Sequence, residues 1–246
     1  MVALDDDAYT RALAGFGAAR ARPAAIVVVS AHWEASSPLL ATASARPPLI
    51  YDFGGFPPKL YKLVYPCPGA PALAADIVER LRAADLPAEL EPSRGFDHGV
   101  WVPLQHLYRD ARIPVVELSL PTGDAALLAA IGQHLAPLRD RGVLLLGSGG
   151  VVHNLARLNW IDKHGPVEPW ARAFDEWVAK RVAARDAAAL ARFQAEAPEA
   201  ARAMPTREHF DPILFVLGAA LPGDALETVY EGFQHGSLSM RCFAFQ

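Results

Sequence analysis

The chain has 246 residues, of which 52% are hydrophobic and 20% charged, and its formal net charge is −4. That balance predicts a folded domain with a sizeable core and excludes a disordered chain. Without a Lys/Arg cluster, the charge argues against nucleic acid or an anionic membrane surface as the main partner. No apolar run reaches the ~18 residues of a membrane span, and no charged-then-apolar leader opens the chain. Cys67 and Cys242 lie far apart and form no disulfide framework, so the expectation is a cytoplasmic protein with no membrane partner.

In chain order, Asp5–Asp7 precede a helical pattern of Tyr9, Leu13, Phe16 and Ala19, with Arg20 and Arg22 beyond it. Acidic residues first and basic residues last suit a helix dipole. Ala25–Val29 is a short apolar, β-branched run and predicts a fully buried strand, ending at Ser30 and His32. Leu39–Thr42 predicts a second strand. Residues 47–71 are rich in Gly, Pro and aromatics and read as a long ordered loop with a short strand near Tyr61–Tyr65. A helix is expected over Ala70–Asp85, a strand over Ala88–Glu91, and a helix over Val100–Tyr108. Ile113–Leu120 predicts a strand, Asp124 caps a helix running to Leu138, and Val143–Leu146 predicts another buried strand before Gly147-Ser-Gly-Gly150. Helices follow over 167–185, 186–194 and Thr206–Leu221, and closing strands over Thr228–Tyr230 and Leu238–Phe245. No repeat or linker interrupts the chain, which reads as one domain over 1–246.

Four of the eight histidines share a context. His32 follows the first strand, His98 sits in a Gly-flanked turn, His153 follows a strand and a glycine run, and His235 lies between two closing strands. Neutral imidazoles gathered at one sheet edge are what a divalent metal needs. The spacing carries no local zinc signature such as His-Glu-x-x-His, no phosphate loop and no Gly-x-Ser-x-Gly elbow. His106, His134 and His164 read as structural or exposed, and His209, beside Glu208, as a residue that could support a ligand from behind.

Ser30-Ala-His-Trp33, Phe96-Asp-His-Gly-Val-Trp101, Gly147-Ser-Gly-Gly-Val-Val-His-Asn154 and Phe233-Gln-His-Gly-Ser-Leu-Ser-Met240 together resemble the 4,5-DOPA extradiol dioxygenase family. These are class III extradiol ring-cleavage enzymes related to the catalytic subunit of protocatechuate 4,5-dioxygenase. Tyr51-Asp-Phe53, Gly55-Phe-Pro57 and Glu208-His-Phe-Asp-Pro-Ile-Leu214 are similar to further family segments, and the resemblance runs from about Met1 to Gln246. It implies an α/β fold with a mixed central sheet flanked by helices, and a mononuclear non-haem metal: Fe(II) for catalysis, with Zn(II) possible in the same site. By motif match, His32 and His235 would be metal ligands, His153 a ligand or acid/base, and His98 a hydrogen-bonding or proton-transfer residue. The substrates implied are a DOPA-like catechol and O2. The family's first ligand belongs to a His-Gly-Ser-Pro-Met segment after a first strand, and Met1 aligns with the Met of that segment. The expectation is therefore that this strand and its ligand are missing from the chain as given, which would weaken its metal binding. Trp33 and the Tyr51–Tyr65 loop would line the pocket. Two rivals stay open at this point: a zinc hydrolase on the same histidines, which would consume no O2, and a metal-poor binding module.

Overall fold

A computed structural model describes residues 2–246. The central sheet holds β1 (Ala25–Ala35), β2 (Leu39–Thr42), β3 (Ala88–Glu91), β4 (Val115–Pro121) and β5 (Val143–Ser148), in the order β3-β2-β4-β1-β5. β1 runs parallel to β4 and β5, β2 runs parallel to β3, and β2 meets β4 antiparallel. The sheet is therefore mixed, as the resemblance implies. Beyond it, β6 (Leu226–Tyr230) pairs with β9 (Cys242–Phe245), and β7 (Phe233–Gln234) with β8 (Leu238–Ser239).

The helices are α1 (Ala8–Ala18), α2 (Pro71–Ala83), α3 (His98–Leu107), α4 (Ala125–Leu135), α5 (Pro169–Ala183), the short α6 (Ala187–Ala191), α7 (Phe193–Glu196) and α8 (Ala200–Ala203), and α9 (Pro212–Ala219). None of them is long and apolar enough to cross a membrane. Strand alternation sends β1 side chains into two cores. Ile26 and Val28 pack with α1 and α3, while Val27 and Val29 pack with α2, α4, α5 and α9, all four fully buried. Each such side chain contributes about 1.5–3 kcal/mol by leaving water. This double burial is why the Ala25–Val29 run carries no polar residue.

The departures from the sequence reading have physical causes. β1 continues through His32 and Trp33 to Ala35, because Glu34 and Ala35 regain partners on β4 after a break in register. Residues 60–62 form a 3-10 turn instead of a strand. α3 begins at His98, so this histidine occupies the first helical turn. Regular helix α9 begins only at Pro212, whose missing N–H cannot bond back to Glu208; the residues before it form turns. β5 is the sheet's edge: only Val143 is buried, and a cavity of about 580 Å³ lies along the strand among Leu13, Leu146, Pro212 and Phe243.

The closing segment is tied to α5 by Asp175, which accepts from Ser239 Oγ at 2.6 Å and from Arg241 Nη2 at 2.6 Å. Asp175 is buried, and Glu231, 3.1 Å from Arg241, is largely exposed. Asp175→Ala would leave the guanidinium buried with only that exposed partner, and should cost about 3 kcal/mol. The check is a lower urea midpoint at unchanged m-value, with a smaller loss for Asp175→Asn.

Candidate metal and catalytic site

Because β1, β4 and β5 run parallel, their carboxyl ends lie at one edge of the sheet, where open α/β sheets place ligands. There β1 leaves its ladder with β4 between Val29 and Glu34, and His32 sits in that break. His98 opens α3 alongside, and the rings of His32 and His98 lie 4.0 Å apart. Gly99 follows because nothing larger fits: a Cβ there would run into Ser30 Oγ.

Asp52, from the long aromatic loop, joins this pair. Its Oδ1 accepts the His98 backbone N–H at 2.9 Å, so the carboxylate occupies the positive end of α3. Its Oδ2 lies 2.9 Å from His98 Nδ1 and 3.4 Å from His32 Nδ1. Burial raises the Asp52 pKa, but the ring and backbone of His98 overcome it and bring the group down to about 2.

The other half arrives from β5 and from the segment before α9. Gly150 N donates to the His209 carbonyl at 2.8 Å, and a Cβ on Gly149 would strike that same carbonyl. This close approach lays His153 flat on His209, with ring centroids 3.7 Å apart and planes 8° from parallel. His209 in turn meets His32 edge-on at 4.9 Å, and its Nδ1 lies 3.0 Å from Glu208 Oε1. His98, His32, His209 and His153 thus form one continuous chain of imidazoles. Burial, then the neighbouring histidines, brings both His32 and His153 down to about 4. Both are neutral at pH 7, the form that binds a divalent metal.

His32, His98 and His153 are brought together as the sequence reading expects. His235 is held elsewhere. It adopts φ +55° ahead of Gly236 at +77° in the tight turn joining β7 to β8. Its Nδ1 lies 3.0 Å from the Asn159 carbonyl, and its ring lies against Trp160 at 5.5 Å. Histidine tolerates the left-handed region better than most residues, which accounts for its place in a turn. No ring contact joins His235 to the four-imidazole chain among the described residues. Asp52 and His209 are the additions, and both lie within segments that already carried the resemblance. Phe53 stands edge-on to His98 at 5.4 Å, whereas Tyr65 is buried with its hydroxyl on the Tyr108 carbonyl, and Trp33 is buried beneath Arg94.

The donor atoms of His32, Asp52 and His98 all lie within 4.8 Å of one another. Nitrogen and carboxylate donors that converge so closely fit a first-row divalent metal.

Residues 9–244 match the family model described as the catalytic LigB subunit of aromatic ring-opening dioxygenase. A 4,5-DOPA dioxygenase extradiol of Escherichia coli (strain K12) is 42% identical over 98% of this chain and 89% of its own length. One from Portulaca grandiflora is 39% identical over 91% of this chain and 83% of its own. Among solved structures, an uncharacterized Escherichia coli K12 protein, JW3007, superposes with a TM-score of 0.82 at 38% identity, covering 98% of this chain and 93% of that one.

In the metal-free protein the rings of His32 and His153 should titrate with NMR midpoints near 4. An unfolded chain takes up these protons near pH ~6.5. Stability should therefore be full above that pH and fall as the pH drops from ~6.5 towards ~4. A lower urea midpoint at pH 5 than at pH 7 is the matching result.

Proposed function

Because this chain belongs to the family of aromatic ring-opening dioxygenases, we propose that its imidazole cluster opens a DOPA-like catechol with O2 at a mononuclear non-haem Fe(II). Extradiol catechol cleavage is the activity supported by the family and by the relatives' names. The observation that carries the site assignment is the convergence of His32, His98, His153, His209 and Asp52 at the carboxyl edge of the sheet.

His32 acts as a neutral metal ligand; His209, edge-on to it, takes the place expected of His235; and His153, whose ring lies flat on His209 and so cannot aim its lone pair at the same ion, stands beside the metal. When bound, iron supplies Lewis acidity toward the catechol oxygens and the redox chemistry that O2 requires. Zn(II) in the same donor set would supply only the Lewis acidity. His98 is the acid/base: its ring accepts a proton from a catechol hydroxyl, and Asp52 at Nδ1 stabilises the imidazolium that results. Asp52 stays ionised because α3's first N–H holds it, so the pair is prepared before substrate arrives. Phe53, edge-on to His98, gives the flat ring an apolar surface and keeps water from the base. The whole of 1–246 acts as one catalytic domain. Its two unpaired cysteines support a reducing cytoplasm as its location.

Oxygen uptake with DOPA and simpler catechols tests the reading. Chelator-treated protein should consume no O2, anaerobic reloading with Fe(II) should restore uptake, and Zn(II) should not. Catechol turnover without O2 consumption would contradict it. Among variants, His98→Ala should lower kcat by roughly 10²–10⁴ with iron still bound, and His209→Ala should lose iron. His235→Ala should retain iron and ring opening; a loss equal to that of His209→Ala would return His235 to the metal.

A further inference from the structure

One buried acid takes no part in this chemistry. Glu117 lies in the middle of β4, opposite Val28 of β1, at 0% exposure. Neither of its carboxyl oxygens receives a hydrogen bond. Thr42 of β2 reaches only its backbone, donating to the carbonyl and accepting from the N–H at 2.9 Å. The charged groups facing it come from the segment that leads into α3: Asp97, also at 0% exposure, and Arg94, whose Nη2 stands 4.0 Å from Glu117 Oε1.

Arg94 is already engaged. Nη2 lies 3.2 Å from Asp97 Oδ2 and 3.5 Å from the His32 carbonyl, and the guanidinium covers the Trp33 ring at 4.5 Å. One cation therefore serves two fully buried carboxyl groups. If both were ionised, one charge would be left without compensation in a dry interior, which burial penalises heavily.

We propose that Glu117 is held as a neutral acid that donates its O–H to Asp97, and that Glu117, Asp97 and Arg94 form a positioning unit that fixes His32 and His98 relative to each other. The connections run outward from Asp97. Its Oδ1 accepts from Ser30 Oγ at 2.7 Å, and Ser30 Oγ accepts from His32 N at 3.2 Å. Its backbone carbonyl starts α3 by accepting from Val100 and Trp101, which sets the direction of His98. Arg94 holds the other side of the His32 backbone. Burial first, then the neighbouring Asp97 carboxylate, push the Glu117 carboxyl well up from its ordinary range, and Arg94 offsets only part of this. Groups that orient metal-site histidines from behind typically change metal affinity or activity by about 10–100-fold when removed. The inference rests on the reading of His32 and His98 as site residues.

Infrared and NMR spectra of the metal-free protein test it without relying on activity. The wild type at neutral pH should show a carboxylic-acid C=O band that is absent from E117Q. The His32 and His98 ring resonances should be unchanged in E117Q, whose amide can donate to Asp97, and displaced in E117A. With iron loaded, E117Q should keep kcat within about twofold, while E117A should lose about 10–100-fold in kcat with KM little changed. The proposal is overturned if no acid band disappears in E117Q, if E117Q falls as far as E117A, or if E117A leaves both the ring resonances and kcat at wild-type values. Should wild-type protein open no catechol at all, the functional reading falls, while the infrared band and the ring resonances still decide the state and role of Glu117.

Discussion

The break in the β1–β4 ladder is the constraint on which the site depends. Up to Val29, β1 is locked between two parallel neighbours and packed on both faces, so its path is fixed by burial. Register with β4 then lapses until Glu34. In that interval Ser30 turns to Asp97 and His32 to Asp52, contacts that a regular ladder would deny them. The other contributors come to this point by close backbone approach. Gly99 admits Ser30, Gly149 admits the His209 carbonyl, and α3 presents its first amide to Asp52. Side chains scattered over 32–209 meet because rigid elements end at one place, which suits a site that must hold its geometry before its ligand arrives.

Electrostatics follow from that assembly. Four imidazoles in partial burial cannot all be protonated, and desolvation acts with mutual repulsion to keep His32 and His153 neutral. The carboxylates are placed unequally: Asp52 is stabilised by a helix N-terminus and a neighbouring histidine, and Glu208 by His209 and Thr206. Two pairings of acid and imidazole, Asp52 with His98 at one end of the ring chain and Glu208 with His209 inside it, give the two halves of the cluster different electrostatic settings.

Much of this was legible in the residues. β2 and β3 have the limits their composition suggests, and the β-branched run at 25–29 marks the central strand. The short apolar run at 143–146 could not reveal an edge position, because a strand's neighbours are a tertiary property. His235 and His209 show the same limit at the site. A His-Gly pair between two strands describes a turn as well as a ligand, and only the fold separates the two. His209 was obscured by the apolar periodicity of 206–221, although Pro212 marks where the helix must start. Asp52 lies in an aromatic loop with no periodicity, so nothing local points to its partner His98. Glu117 drew no notice within the strand at 113–120, because what it faces depends on the packing of α3's leading segment against β4.

The central claim is that one metal sits between His32 and His209 at the carboxyl edge of the sheet. The most direct measurement is anomalous diffraction at the iron edge from crystals of anaerobically Fe(II)-loaded protein. The account predicts a single strong peak within about 2.2 Å of an imidazole nitrogen of both residues, with His98, Asp52 and His153 beside it and no peak at His235. A peak bound by His235, or one lying away from the imidazole chain, would contradict it.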